Sequence, residues 1–186
     1  MRRLPLLLVP LLLAACGGGA TGPDEDEEPI FLVPPRFYDG TAHFKRTTSA
    51  GGDLVQFDGN VRFATTDRGA LPVGYAIASG TMTVSHQGGR PGGCTIAGAT
   101  SFTLGPGDGA FVIMPPDRYS GTIHKEVTFS SNLTCPGRPA VPSPDSASID
   151  LDIAGSTING RIQGAMVPVV AAQSVFEGSW NLTPLD

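Results

Sequence analysis

The histidines His43, His86 and His124 are the side chains of this chain best suited to metal binding or proton transfer near neutral pH. Two of them follow a Gly-Thr pair at the same offset, in Gly40-Thr41-Ala42-His43 and Gly121-Thr122-Ile123-His124. On an extended strand the spacing of His124 and Glu126 puts both on one face, where imidazole and carboxylate make a zinc-ligand set or an acid–base pair. His43, His124 and Glu126 are therefore the candidate metal ligands. The same alternation has a plainer meaning, because Thr122, His124, Glu126 and Thr128 form a polar face opposite Ile123, Val127 and Phe129, and such a face is expected to meet solvent. The chain carries no Gly-x-Ser-x-Gly elbow, His-Glu-x-x-His pair or EF-hand loop. No catalytic residue is assigned and no cofactor is expected, although a triad assembled from distant strands would leave no local motif.

Cys16 closes a different segment. Arg2 and Arg3 precede the apolar run Leu4 to Leu13, which is too short to span a bilayer as a helix and is interrupted by Pro5 and Pro10; small residues follow. Leu13-Ala14-Ala15-Cys16 resembles the lipobox of bacterial lipoproteins. The resemblance covers about twenty residues at the amino end, and concerns a motif rather than a fold. It implies that residues 1–15 are a signal peptide, that Cys16 is the lipid attachment site and mature N-terminus, and that the protein is lipid-anchored in the cell envelope. One acyl chain holds a protein only marginally, so the two or three that such proteins carry imply a stable tether. Gly17 stands where an aspartate would favour inner-membrane retention, which points to the outer membrane of a Gram-negative source, with the domain in the periplasm or on the cell surface.

From Gly17 to Pro29 there is no large apolar side chain, and Asp24 to Glu28 is an unbroken acidic run. Such a segment cannot bury enough surface to offset the entropy of ordering it, so residues 16–29 are expected to be a lipidated cysteine and flexible linker. Residues 30–186 have the length of one domain. Of 12 basic and 17 acidic residues in the chain, setting aside Arg2, Arg3 and the acidic run leaves 10 and 12, a charge near −2. Without a basic cluster, the attraction that dominates nucleic-acid affinity is missing. The expected partners are the membrane, through Cys16, and a small ligand or envelope protein.

Cys94 and Cys135 lie beside turn residues, in Gly92-Gly93-Cys94 and Cys135-Pro136-Gly137, with neither a CxxC nor a zinc-knuckle spacing. In an exported protein they are expected to form a disulfide.

What must position these residues is a set of short alternating stretches punctuated by Gly, Pro, Asn and Asp, with no sustained 3.6-residue period. The fold class is all-β: a single antiparallel barrel or barrel-like sheet of roughly 8 to 11 strands, with a two-sheet sandwich as the alternative. The expected strands are 41–48, 53–57, 61–66, 73–79, 81–86, 94–104, 109–114, 121–130, 146–153, 156–166 and 174–182. Val55, Phe57, Val61 and Phe63 share one parity, which fits either one continuous strand or a hairpin with a three-residue loop Asp58-Gly59-Asn60. A two-residue loop would oppose Phe57 to Asn60 and is rejected. Residues 105–109, 115–117 and 136–144 are loops by composition.

An irregular echo, Tyr38-Asp39-Gly40-Thr41, Ala78-Ser79-Gly80-Thr81, Tyr119-Ser120-Gly121-Thr122 and Phe176-Glu177-Gly178-Ser179, marks bends where glycine relieves crowding. Its first and last members near the two ends of the domain suit a closed sheet with paired terminal strands. Gly178-Ser179-Trp180 is similar to the Gly-x-Trp of lipocalins, but falls on the last strand instead of the first. Tyr38, Tyr75, Tyr119 and Trp180 are either ligand-lining groups or core. Three functions compete: a ligand- or partner-binding domain, a structural or adhesin-like module, and a hydrolytic or metal-dependent enzyme.

Overall fold

The computed structural model describes residues 34–48, 52–66, 72–171 and 174–186. The signal segment, Cys16 and the acidic linker lie outside the described residues. The strands are β1 (Phe37–Thr48), β2 (Leu54–Thr65), β3 (Val73–Arg90), β4 (Cys94–Leu104), β5 (Gly109–Met114), β6 (Arg118–Thr134), β7 (Val141–Ser156), β8 (Ile162–Ala171) and β9 (Ser174–Leu185). All belong to one sheet, and every ladder is antiparallel. The fold is all-β and barrel-like. The first and last strands pair in register from Phe37–Leu185 to Thr48–Ser174.

β3 and β6 are the two long strands, and β4 and β5 lie end to end between them. β4 pairs with residues 80–90 of β3 and 132–134 of β6, whereas β5 pairs with residues 73–76 of β3 and 118–123 of β6. The ladders of β3, β4, β6 and β5 therefore close a circuit. β4 and β5 are two halves of one strand position, interrupted where Gly105–Asp108 leaves the wall. That turn is held by Gly105 N–H donating to the Asp108 carboxylate at 2.8 Å and by Lys125 Nζ on the same carboxylate at 2.9 Å. Burial opposes ionisation of Asp108, but these bonds and the Lys125 charge outweigh it and hold its pKa below the usual value.

Alternation places one apolar face inward, where Phe57, Phe63, Tyr75, Phe111, Tyr119, Leu151 and their neighbours form a single core. Near the end where β1 begins, Tyr75 stacks on Phe111 with centroids 4.8 Å apart and Tyr38 meets Tyr75 edge-on at 5.0 Å. Outward positions such as Thr122, His124, Ser148 and Asp150 are exposed and polar, the reverse of a barrel whose outer face meets lipid. Among the described residues no helix is long and apolar enough to cross a membrane.

Three sequence expectations are corrected. The expected strands 53–57 and 61–66 are one: of the two readings left open at Asp58-Gly59-Asn60, β2 forms the continuous strand and not the hairpin, with Val55, Phe57, Val61 and Phe63 all buried on one face. Gly59 serves close approach rather than a turn, since a Cβ there would lie 2.2 Å from the Thr81 carbonyl oxygen. The expected strands 73–79 and 81–86 are likewise one strand, β3, in which the register shifts between Arg62 and Phe63 of its partner β2 mark a bulge just before Gly80. The 136–144 loop ends early. β7 starts at Val141 and admits Pro142 and Pro144, which lack an N–H, because it pairs only with β6.

Cys94 and Cys135 form the disulfide, with Cα atoms 4.1 Å apart. It extends the β4–β6 ladder, which otherwise has only the pairs Thr95–Thr134, Ile96–Leu133 and Ala97–Asn132. Cross-linking residues 41 apart in sequence stabilises by about 4 kcal/mol in the chain-entropy model. Replacing both cysteines by serine is expected to lower the urea midpoint by the equivalent of about 2–5 kcal/mol, read by tryptophan fluorescence; an unchanged midpoint would mean that the short ladder holds unaided.

Candidate functional site

The three histidines are not brought together. His43 on β1 and His124 on β6 project from the outer face, and each binds the aspartate directly opposite on the neighbouring strand: His43 Nδ1 with Asp58, and His124 Nδ1 with Asp150. The Asp150 hydrogen bond and charge raise the pKa of His124. Glu126 shares the exposed face of His124, as its spacing predicts. Among the described residues no group of three or more His, Cys, Asp or Glu side chains converges on a point where a metal would sit.

His86 behaves differently. It points inward near the end of the barrel opposite the start of β1, at the level of Arg46, Val55 and Gly98, which are successive register partners across β1 to β4. Its Nδ1 lies 2.6 Å from Asp145 Oδ2 on β7, and the buried Ser131 hydroxyl donates to the same oxygen at 2.6 Å. On the other side His86 Nε2 is 3.8 Å from Asp53, whose second oxygen receives Arg90 Nη1 at 2.6 Å. Glycines make the room. A Cβ on Gly98 would fall 2.4 Å from Ser131 Oγ, and one on Gly88 would fall 1.7 Å from Asp53 Oδ1.

This cluster holds serine, histidine and aspartate, but wired with aspartate in the middle. A nucleophilic serine needs its proton taken by the imidazole; here the proton of Ser131 is committed to Asp145, and the hydroxyl is wholly buried. The arrangement joins β3, β6, β7 and Asp53, the residue just before β2, as a polar clamp. Burial raises the pKa of Asp145, but bonds from Ser131, His86 and the Ser146 N–H overcome that and leave it lowered. Beside the clamp, Arg46 borders a recess of about 320 Å³ that also includes Val127 and Ala147.

The aromatic candidates are core. Tyr38, Tyr75, Tyr119 and Trp180 are all buried, and each tyrosine hydroxyl donates to a backbone carbonyl: Tyr38 to Gly160, Tyr75 to Pro35 and Tyr119 to Gln163. Burial pushes the Tyr38 pKa up to about 12. A cleft of about 470 Å³ lies outside the barrel, across β1 to β4, bounded by Asp39, Asn60, Arg62, Ser79, Thr81 and Thr103.

Sequence reasoning missed the clamp. Asp145 is 59 residues from His86 and falls between the expected loop 136–144 and the expected strand 146–153. Gly88 and Gly98 are the only local trace, and a glycine in or beside a strand does not say which neighbour it makes room for. Comparison of the chain with protein-family models, with curated proteins and with solved structures finds no match.

Because the folded pKa of Asp145 is lowered, its contribution is present above the unfolded value of about 3.9 and is lost as pH falls through the folded one. Asp145→Asn is expected to cost about 1.5–3 kcal/mol at pH 7. The gap from wild type should narrow below about pH 4, measured as urea-unfolding free energy against pH. A gap independent of pH would show that the carboxylate charge is not what the clamp uses.

Proposed function

We propose that this chain is a lipid-anchored protein of the cell envelope, fastened through Cys16, whose β-domain is a non-enzymatic module that binds an envelope component at its outer surface. The observation that carries the outward direction of binding is the filled interior. The stacked pair Tyr75–Phe111, the edge-on pair Phe63–Phe111 and the Trp180–Tyr119 hydrogen bond occupy space that an enclosed ligand would need. The disulfide fits folding in an oxidising compartment. The Ser131–Asp145–His86 wiring argues against hydrolysis at that cluster. The anchor itself rests on Leu13-Ala14-Ala15-Cys16 and the charged and apolar residues before it.

Expressed in a bacterial host, the protein should take up labelled palmitate and fractionate with membranes. Cys16→Ser should abolish both. A mature product that carries no label, or a serine variant with unchanged maturation and fractionation, would sink the anchoring half of the proposal. For the other half, native mass spectrometry of protein isolated from its own host should retain an envelope component.

A further inference from the structure

We infer that the outer cleft across β1 to β4 is a binding site for a neutral, polyhydroxylated ligand, an oligosaccharide chain. This deepens the surface-binding reading and rests on it. The cleft runs between two rows of outward side chains. One wall is Asn60, Thr81 and Thr103, which are direct register partners on β2, β3 and β4. The other is Asp39, Arg62 and Ser79, also register partners, on β1, β2 and β3. The floor between them is the row Val61, Gly80 and Leu104, whose valine and leucine side chains turn into the core.

Three features set the ligand class. The first is charge. Arg62 Nη2 donates to Asp39 Oδ2 at 2.6 Å, so among the described residues the two ionised groups that line the cleft neutralise each other, and neither is left to attract a phosphate or an ammonium. The second is unspent hydrogen bonding. Among the described residues the side chains of Asn60, Ser79, Thr81 and Thr103 have no partner. One row further along the same strands, Thr83 Oγ1 and Ser101 Oγ bond to each other at 3.1 Å. The cleft thus presents amide and hydroxyl groups able both to donate and to accept, as sugar hydroxyls require.

The third feature is continuity. The first wall does not stop at the cleft: Asn60 pairs with Thr41 on β1, Thr41 with Asn181 on β9, and Asn181 with Gln163 on β8. The floor row continues in parallel through Gly40, the partner of Val61. At about 4.8 Å per strand, the three steps from Asn60 to Gln163 add roughly 14 Å of uncharged amide and hydroxyl surface, although Gln163 Nε2 already donates to Asn181 Oδ1 at 2.9 Å at its far end. A chain of sugar units suits this length better than a single one. The volume of about 470 Å³ is within the usual range for ligand sites.

The test uses the full chain carrying Cys16→Ser, with maltohexaose, cellohexaose and chitohexaose as neutral probes, and inorganic phosphate and a neutral hexapeptide for comparison. Binding is followed by titration calorimetry and by amide chemical shifts. At least one hexasaccharide should bind saturably and shift Asn60, Thr81 and Thr103. Thr81→Val with Thr103→Val should weaken it at least tenfold at unchanged melting temperature, while Thr122→Val, on the outer face of β6, should leave it alone. Three results would overturn the inference: no hexasaccharide perturbs these residues, saturable binding survives the double substitution, or the cleft prefers phosphate or the peptide. Palmitate labelling of the unsubstituted chain reads independently, so label uptake there together with no sugar binding by the Cys16→Ser chain defeats the cleft without touching the anchor.

Discussion

A curled sheet must meet its own edges, and here they meet between β7 and β8. Among the described residues the two strands share no ladder beyond the turn, where Ile158 and Arg161 exchange both backbone hydrogen bonds across Asn159 and Gly160, each at positive φ. Below that turn a side chain takes the place of backbone pairing. The Tyr119 hydroxyl, reaching from β6, donates to the Gln163 carbonyl at 2.8 Å and accepts from Trp180 Nε1 at 2.9 Å. Gly155 on β7 and Gly164 on β8 leave the space: a Cβ on the first would crowd the tyrosine hydroxyl, and one on the second would strike the indole. An unsatisfied buried polar group costs about 1–3 kcal/mol, so this single phenol resolves two such costs at the place where the barrel is least supported. Deeper in, Leu151 of β7 lies against Gly178 of β9 beside Met166, and the core is continuous across the gap.

The remaining wall follows from that closure. With β1 and β9 paired along their length, the sheet has one interrupted position, occupied by β4 and β5 in succession. β4 shares few backbone bonds with β6, and it is there that the disulfide and the Ser131–Asp145–His86 clamp lie. Covalent and polar links are concentrated beside the shortest ladder, at the end where β6 and β7 also exchange the Ser131–Asp145 hydrogen bond.

Much of this was legible in the sequence, and the failures share a cause. Alternation in Val55 to Phe63 marked a buried face correctly, yet could not say whether Gly59 turned the chain or let a neighbour approach. Both uses need a residue without a side chain, and only the opposing strand decides. Gly80 posed the same ambiguity inside β3. Pro142 and Pro144 suggested a loop because proline cannot serve a two-sided ladder; an edge strand makes no such demand, and edges are a property of topology. The pairing of Cys94 with Cys135 was readable because chemistry left few alternatives. Asp145 was not, since its partners arrive from β3 and from the far end of β6. The cleft was invisible for a similar reason: Asn60, Thr81 and Thr103 become a row only when three strands fall into register.

The excursion at Gly105–Asp108 has a consequence for how this protein tolerates change. The segments on either side are secured separately, β4 by β3 and the disulfide, β5 by β3 and β6, and Pro106 and Gly107 at its tip are exposed. New chain ends or a spliced-in epitope at that tip would leave every ladder intact. The wall thus contains a natural port for circular permutation or display, in the middle of what the topology makes a single stave.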